Sequence, residues 1–200
     1  MPSIDSGAVE LFKQKAQPVS IKVVEVPGLK EAMAYAVEVC EKKEFCERLL
    51  PPSHEVTRAD VKTLAAPGLD DAAFAQLGKL ADGKGFSMLR SGMREHLAGI
   101  DVAFTVSAKG IAETATSILE SMSEELRLAT MVCETHVIAL NKSDIVKTSY
   151  DAEEYLQGLM ENGAAYTAFI SGPSRTADIE RVLTIGVHGP LELHVALMEG

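Results

Sequence analysis

The sequence contains no tryptophan and few other aromatic residues. Aromatic side chains make up 5% of the 200 residues, whereas hydrophobic residues of all kinds reach 46%. A core must therefore consist mainly of Val, Leu, Ile, Ala and Met. A chain of this length buries roughly 70% of the surface that it exposes when unfolded, so folding requires neither a disulfide nor a structural metal.

Cysteine is scarce and irregularly spaced. The three cysteines are Cys40, Cys46 and Cys133. An odd number at such spacings does not form a disulfide framework and indicates a reducing compartment. The spacing between Cys40 and Cys46 also differs from the Cys-x-x-Cys runs that hold zinc or iron–sulfur clusters. We therefore expect no metal site and no cluster in this chain.

Positive charge and long apolar runs are lacking as well. The 19 Lys and Arg residues face 29 Asp and Glu residues, which gives a formal net charge of −10. Such a surface repels a phosphate backbone, so nucleic-acid binding is not expected. No apolar run approaches the ~18 residues of a membrane span, and the N-terminus lacks the layout of a secretory signal. These absences predict a cytoplasmic protein without a membrane span.

Several common catalytic and nucleotide-binding motifs are absent too. The sequence has no Gly-x-Ser-x-Gly elbow, no Gly-x-Gly-x-x-Gly fingerprint and no Walker lysine loop. Serine-histidine-acid catalysis and the usual dinucleotide or triphosphate sites are therefore not indicated.

What the sequence does contain is an alternation of β-rich and helical segments. The predicted strands are 18–26, 61–66, 101–108, 134–142, 166–172 and 191–198, and the main predicted helices are 29–43, 69–82, 150–163 and 176–183. This alternation predicts an α/β fold with a mostly parallel sheet flanked by helices. We expect one domain over residues 18–200, an N-terminal helical arm over residues 1–17, and ligands at the carboxyl edge of the sheet.

The most unusual segment is SGPSRTADIERVLTIGVHGP, residues 171–190. Gly172 can adopt a positive φ and Pro173 fixes φ at about −65°, so the pair predicts a stiff exit from the preceding strand. The hydroxyls of Ser174 and Thr176 are placed to cap a following helix.

Two interpretations of this segment stay open on the residues alone. Free N–H groups, two hydroxyls and Arg175 would form a cradle for a carboxylate or phosphate. Alternatively, Arg175 pairs with Asp178 three residues later and the segment is a capped turn. His188, next to Gly189, is accessible enough for proton transfer, or it hydrogen-bonds loop carbonyls.

A second candidate segment follows the strand 101–108. Glu113 lies among small residues and the hydroxyls of Thr114 and Thr116, which suits either chemistry or hydrogen bonding to loop amides. Arg127 follows a serine- and acid-rich stretch, from which it would reach Glu113 or an anionic ligand. Two further histidines lie in predicted strands, His136 at the start of one and His194 in another, and we interpret His194 as structural.

The segment 171–190 resembles the closing signature of the LUD-domain proteins of the LutC/YkgG lactate-utilisation type. That signature is Gly-Pro-Ser-x-Thr-Ala-Asp-Ile-Glu followed, about six residues later, by Gly-Val-His-Gly-Pro. Both runs are present, at Gly172–Glu180 and Gly186–Pro190, and the resemblance extends over about residues 100–200. One departure is Ala115, where the family usually has glycine.

The resemblance implies a fold similar to the NagB/RpiA/CoA-transferase group. It also implies a LutC-type accessory component of a system that oxidises L-lactate to pyruvate, in which iron–sulfur clusters belong to the partner subunits. A small anionic ligand would then bind in a pocket lined by the signature and the Glu113 loop. Its candidate ligand-binding residues are Thr114, Thr116, Arg127, Gly172, Pro173, Ser174, Arg175, Thr176, Asp178 and Gly189, with Glu113 and His188 as catalytic candidates.

An alternative function is a stand-alone enzyme similar to the CoA-transferases and cyclo-ligases. It would act on an activated carboxylate or a phosphorylated metabolite, with Glu113 as nucleophile or base and His188 transferring a proton. This alternative depends on analogy between folds alone.

Overall fold

Six parallel strands form the central sheet of this protein. We describe it from a computed structural model covering residues 4–46, 61–161, 166–176, 184–185 and 189–199. The α-helices are α1 (Ser6–Ala16), α2 (Leu29–Lys42), α3 (Asp71–Ala81), α4 (Glu124–Val132) and α5 (Glu153–Glu161). The strands are β1 (Ile21–Val26), β2 (Thr63–Ala65), β3 (Ser87–Leu89), β4 (Ile100–Val106), β5 (Lys109–Ile111), β6 (Thr116–Glu120), β7 (Cys133–Asn141), β8 (Ile145–Val146), β9 (Thr167–Ile170), β10 (Arg175–Thr176), β11 (Thr184–Ile185) and β12 (Glu192–Met198).

The central sheet has the strand order β1-β12-β7-β4-β2-β3, and every neighbouring pair in it is parallel. Its middle strands are buried on both faces, which explains their predominantly apolar sequences. The predicted α/β fold with a mostly parallel sheet flanked by helices is confirmed.

One face of the sheet packs against α2 and α3. Met33 of α2 and Leu77 of α3 are fully buried with Phe104 of β4 and with alternate residues of β7 and β12, such as Val137. Asp70 begins α3 by accepting a hydrogen bond from the backbone N–H of Ala73. This face of the sheet is called face A below.

The opposite face, called face B, packs against α1, α4 and a second sheet. This second sheet has the order β8-β5-β6-β9. Phe12 of α1 and Leu119 of β6 are fully buried against Ile138 of β7 and Leu193 of β12. Helix α1 thus contributes to the core on this face, while the division between an arm of residues 1–17 and a domain of residues 18–200 stays a prediction.

The strands outside the central sheet correct three expectations. Residues 109–111 and 116–120 form strands β5 and β6, where the sequence suggested only a turn marked by Gly110. Strand β9 pairs with β6 and not with the central sheet. Arg175 and Thr176 form strand β10, paired with β11, so the predicted helix does not begin at residue 176; the rest of that helix, 177–183, lies outside the described residues.

Within the described ranges, no helix is both long and apolar enough to cross a membrane.

Candidate functional site

A cavity of about 290 Å³ lies on face B, at the amino ends of β7 and β12. Its lining comprises Thr130, Met131, His136, Ala168, Phe169, Ile170, Ser171, Gly172, Ser174, Gly189, Pro190 and Leu193. Both halves of the signature therefore contribute to one cavity, which we call the signature cavity.

This cavity lies at the opposite edge of the sheet from the carboxyl edge where ligands were expected, and the expectation of a ligand at the carboxyl edge stays a prediction. The signature follows β9 of the second sheet and leads into β12. It therefore meets the central sheet where β12 begins, beside the start of its parallel neighbour β7.

The turn at Gly172 has the left-handed backbone that the sequence predicts. Its φ is +114°, and a Cβ atom there would lie 2.7 Å from the carbonyl oxygen of Val19, in the turn between α1 and β1. Only glycine fits so close to a backbone atom without a shift. The following Pro173 is buried. Helix α1 thus supports the signature through the turn that follows it.

The two halves of the signature are joined by a backbone hydrogen bond. The N–H of Ser174 donates to the carbonyl of Pro190 at 2.8 Å, and the N–H of Leu191 donates to the carbonyl of Glu134 at 2.8 Å. A Cβ at Gly189 would lie 3.1 Å from that of Ser174, so the halves are in close contact. These bonds attach the signature to the first residues of β7.

Arg175 contacts the turn that precedes β1. Its Nη2 donates to the Ser20 hydroxyl at 2.9 Å. The alternative of a pair between Arg175 and Asp178 stays a prediction, because Asp178 and His188 both lie outside the described residues.

Glu113 hydrogen-bonds loop amides, which is one of the two alternatives left open by its sequence. The backbone N–H of Ser149 donates to its Oε1 at 2.6 Å, and its own N–H donates to the carbonyl of Lys147 at 3.1 Å. It lies in a 3₁₀ turn (Ala112–Thr114) of the second sheet, and not at the end of a central strand. The carboxylate therefore connects two loops of that sheet.

The two threonines of the Glu113 loop link it to the signature. The hydroxyls of Thr114 and Thr116 lie 2.7 Å apart, and that of Thr116 lies 2.5 Å from the hydroxyl of Ser171. Ser171 lines the signature cavity. Thr116 therefore contacts the cavity lining through the Ser171 hydroxyl and does not itself line the cavity.

Ala115 adopts the backbone conformation that favours glycine. Its φ is +50° and its ψ is +43°, although its side chain is fully buried. The resemblance places glycine at this position in most of the family. Here alanine takes up the left-handed geometry, at a typical cost of about 1–2 kcal/mol.

The sequence suggested that Arg127 would reach Glu113 or an anionic ligand, but its contacts in the structure are with other groups. Its Nη1 donates to the carbonyls of Ser121 at 2.5 Å and Met122 at 3.0 Å, and its guanidinium lies 4.9 Å from the centre of the Tyr166 ring. These contacts fix the loop between β6 and α4. Arg127 is also outside the lining of the signature cavity.

His136 is a titratable cavity residue that the sequence-based set of candidates missed. It is 1% exposed, and a ring nitrogen lies 2.8 Å from the hydroxyl of Thr105. Burial lowers the pKa of His136 to about 3, so the ring is neutral at physiological pH. A histidine inside an apolar strand was the available signal, because such a position predicts burial.

The cysteines are buried and reduced. Burial raises the pKa of Cys40 to about 12 and raises that of Cys133 as well. Metals bind the thiolate form, which these groups do not favour. Among the described residues, no group of three or more His, Cys, Asp or Glu side chains is arranged to hold a metal ion.

Comparison with known proteins identifies the family. The LUD domain model matches residues 9–198. This chain belongs to the LUD-domain family. Lactate utilization protein C of Geobacillus thermodenitrificans is 36% identical over 98 residues, and that of Bacillus subtilis is 33% identical over 95 residues. An uncharacterized protein of Neisseria meningitidis serogroup B is 39% identical over 100 residues.

These sequence matches are partial. They cover 50%, 48% and 46% of this LUD-domain chain for the Neisseria, Geobacillus and Bacillus proteins, and 42%, 40% and 40% of those proteins. The crystal structure of a DUF162 family protein from Deinococcus radiodurans superposes with a TM-score of 0.63 at 18% identity. That match covers 96% of this chain and 97% of the other, so the whole fold is shared.

Proposed function

We propose that this LUD-domain protein is an accessory component of an iron–sulfur system that oxidises L-lactate to pyruvate. It would bind a small anionic ligand in the signature cavity and carry no cluster of its own. The observation that supports this proposal most is that both halves of the signature line one cavity and are joined by a backbone hydrogen bond. The chain is also similar to proteins named lactate utilization protein C.

Ligand binding would depend on hydrogen-bond donors more than on buried charge. The hydroxyls of Ser171 and Ser174 and the neutral ring of His136 line the cavity. Arg175 follows Ser174 directly, and its bond to Ser20 is exposed. An anion at the cavity mouth would compete for this guanidinium at small cost, because exposed polar contacts contribute little stability.

The absence of a cluster in this chain is proposed from the cysteine chemistry. An iron–sulfur cluster takes about four thiolate ligands, whereas the whole sequence has three cysteines. Two of them, Cys40 and Cys133, have thiol pKa values raised by burial. Electron transfer would then belong to the partner subunits.

The alternative enzyme function receives less support from the geometry. It requires Glu113 and Arg127 at one site, with Glu113 free to react. Glu113 is engaged by Ser149, and Arg127 is engaged by carbonyls at the start of α4.

The accessory role is tested by mixing the purified chain with the iron–sulfur subunits of a lactate-utilisation system from the same genome. We expect co-elution with the coloured subunits in size exclusion, and faster lactate-dependent bleaching of their visible absorption. Separate elution together with an unchanged bleaching rate would contradict the proposal.

Ligand binding is tested separately by thermal shift with lactate, pyruvate, sugar phosphates, CoA and folates. A ligand at about 100 times its Kd adds about 2.7 kcal/mol, which raises the Tm of a domain of this size by roughly 5–10 °C. Arg175→Ala should reduce the shift, whereas Arg94→Ala, at an exposed ion pair far along the chain, should not. A panel without any shift would contradict the ligand part of the proposal.

A further inference from the structure

A second cavity, of about 340 Å³, lies on face A, on the other side of β12 from the signature cavity. We call it the face A cavity. Tyr35 of α2 and Glu192 and His194 of β12 contribute to its lining. No described residue of the signature lines it. Its chemistry is therefore independent of the proposed function.

Three side chains in this cavity form a continuous hydrogen-bonded relay. The hydroxyl of Tyr35 lies 2.9 Å from Nδ1 of His194, and Nε2 of His194 lies 3.0 Å from Oε2 of Glu192. Lys22 donates to the same Glu192 oxygen at 2.6 Å. His194 is 4% exposed, whereas Tyr35 is only partly buried. The relay thus connects a phenol at the cavity to a carboxylate through a buried imidazole.

The partners determine which atoms carry protons. Glu192 has a lowered pKa, chiefly because Lys22 hydrogen-bonds to it, so it is an ionised acceptor. His194 then carries its proton on Nε2 and accepts at Nδ1, and the Tyr35 hydroxyl donates to it. Burial raises the pKa of Tyr35, so the phenol is protonated at rest. A hydroxyl that donates to a base, together with a group that orients the base, is the arrangement found in proton-transfer sites.

The charges around the cavity favour an anionic ligand. Lys22, Lys42 and Lys43 line it together with two carboxylates, those of Glu38 and Glu192. Among the lining residues, cations thus outnumber anions by three to two, while Lys43 also faces the carboxylates of Asp101 and Glu134 outside the lining.

Two of these lysines are available to a ligand at little cost. Lys42 pairs with Glu38 and Lys22 pairs with Glu192, and all four side chains are at least 47% exposed. Exposed ion pairs typically contribute about 0–1 kcal/mol, so a ligand anion competes with them readily. Lys43 is less available, because it lies 3.5 Å from both Asp101 and Glu134.

The negative end of the α2 dipole, which would oppose an anion here, is already neutralised. The Lys62 ammonium donates to the carbonyls of Cys40 at 3.1 Å and Glu41 at 2.9 Å, and also to that of Lys43. A cation at the carboxyl end of a helix offsets its partial negative charge.

We propose that the face A cavity is a second ligand site, which binds a small anion bearing a hydroxyl group and exchanges a proton with that hydroxyl through Tyr35. In the forward direction the ligand O–H bond breaks and leaves an alkoxide beside the lining lysines, its proton moves to the Tyr35 oxygen, and the Tyr35 proton moves to Nδ1 of His194. The resulting imidazolium is stabilised by Glu192, and the reverse movement restores all three groups. Tyr35 is the catalytic residue, while His194 and Glu192 are positioning residues that act through it.

Calorimetry on the whole chain with matched probes tests the site. Glycolate and glycerol phosphate combine an anion with a hydroxyl, while acetate and inorganic phosphate supply the anion alone. We expect at least one hydroxylated anion to bind about ten-fold more tightly than its counterpart. The pair that shows this difference identifies the ligand as a carboxylate or a phosphate.

Variants assign the binding to the face A cavity. Tyr35→Phe should abolish the preference for the hydroxylated anion, and Tyr150→Phe, at an 84% exposed ring, should not. Lys42→Gln should weaken binding of both anions several-fold, whereas Lys79→Gln, at an exposed position of α3, should leave it unchanged. The proposal is overturned if no hydroxylated anion binds, if Tyr35→Phe keeps the preference, or, should that variant not fold, if Lys42→Gln binds as the parent does.

The positioning roles have their own measurement, the ¹⁵N NMR shifts of the His194 ring, assigned with His194→Gln. The parent should show the tautomer protonated at Nε2. Glu192→Gln should redistribute the proton between the two nitrogens, whereas Glu38→Gln, which lines the same cavity, should not. An unchanged tautomer in Glu192→Gln would contradict the relay.

Discussion

Two cavities flank strand β12, and each contains a buried histidine with a different environment. His136 lies on face B in the signature cavity, and His194 lies on face A; they are 1% and 4% exposed. In the register of β7 and β12, His136 pairs with Leu193 and His194 pairs with Val137. One step along a strand therefore moves a histidine from one face to the other.

The difference between them is in their partners. His136 has a hydroxyl partner, that of Thr105, and burial alone lowers its pKa to about 3. His194 is held between a phenol and a carboxylate; burial lowers its pKa, but the hydrogen bond to Glu192 opposes this effect. Nearly equal burial thus gives a neutral hydrogen-bonding group on face B and a candidate proton carrier on face A.

The largest expected effect comes from changing the signature turn, which alters one cavity and leaves the other intact. Gly172→Ala places a methyl group 2.7 Å from the Val19 carbonyl oxygen at a φ of +114°. Strain and overpacking together should lower the free energy of unfolding by about 2–4 kcal/mol, measured in urea. The NMR shifts of His194 should not change.

Gly189→Ala is the matched control for this substitution. Its new methyl group would meet the Ser174 side chain at 3.1 Å, and no backbone atom lies as close. We expect a loss smaller than about 1 kcal/mol. Equal costs at the two glycines would show that the contact between Gly172 and Val19 does not restrict the turn.

Acid unfolding distinguishes the two histidines. His136 titrates near 6.5 in the unfolded chain and near 3 in the native state, so only the unfolded state gains its proton as the pH falls through this window. The contribution of neutral His136 to the free energy of unfolding is fully present above pH ~6.5. It decreases below that pH, by about 2 kcal/mol at pH ~5.

The measurement is the free energy of unfolding between pH ~7.5 and ~5, in the parent, His136→Gln and His194→Gln. The decrease over this range should be smaller in His136→Gln by about 2 kcal/mol. It should be affected less by His194→Gln, because Glu192 offsets part of the burial effect. A larger effect of His194→Gln than of His136→Gln on this decrease would contradict the assignment of the stronger burial effect to His136.

The central sheet could be predicted from sequence because its strands carry a strong local signal. Strands β4, β7 and β12 are predominantly apolar segments of seven, nine and seven residues. Strand β9 was predicted within residues 166–172, although it pairs in the second sheet, whereas β5 and β6 were missed because they have three and five residues. Such short segments give too few alternations to distinguish a strand from a turn.

The candidate site was predictable only where a local motif determines its geometry. Gly172, Ser174 and Gly189 line a cavity as the signature implies. The partners of Glu113 and Arg127 are decided by tertiary contacts, such as that with Ser149, 36 residues away. Tyr35 and His194 are 159 residues apart, so their contact follows only from the packing of α2 on β12.

The smallest expected effect concerns Ala115, which adopts the left-handed conformation beside the signature. Ala115→Gly should relieve about 1–2 kcal/mol of backbone strain. It should also lose a buried methyl group and increase the entropy of the unfolded chain, at a similar cost. The free energy of unfolding should therefore change by less than about 1 kcal/mol.

Ala112→Gly provides the matched control, because Ala112 is equally buried in the same 3₁₀ turn and is not among the residues of positive φ. Without strain to relieve, it should lose about 1–2 kcal/mol in the same urea titration. The difference between the two variants measures the strain at Ala115. Equal losses would show that the loop beside the signature holds alanine in this conformation without strain. Glycine at this position would then not be required for the geometry that links Thr116 to Ser171.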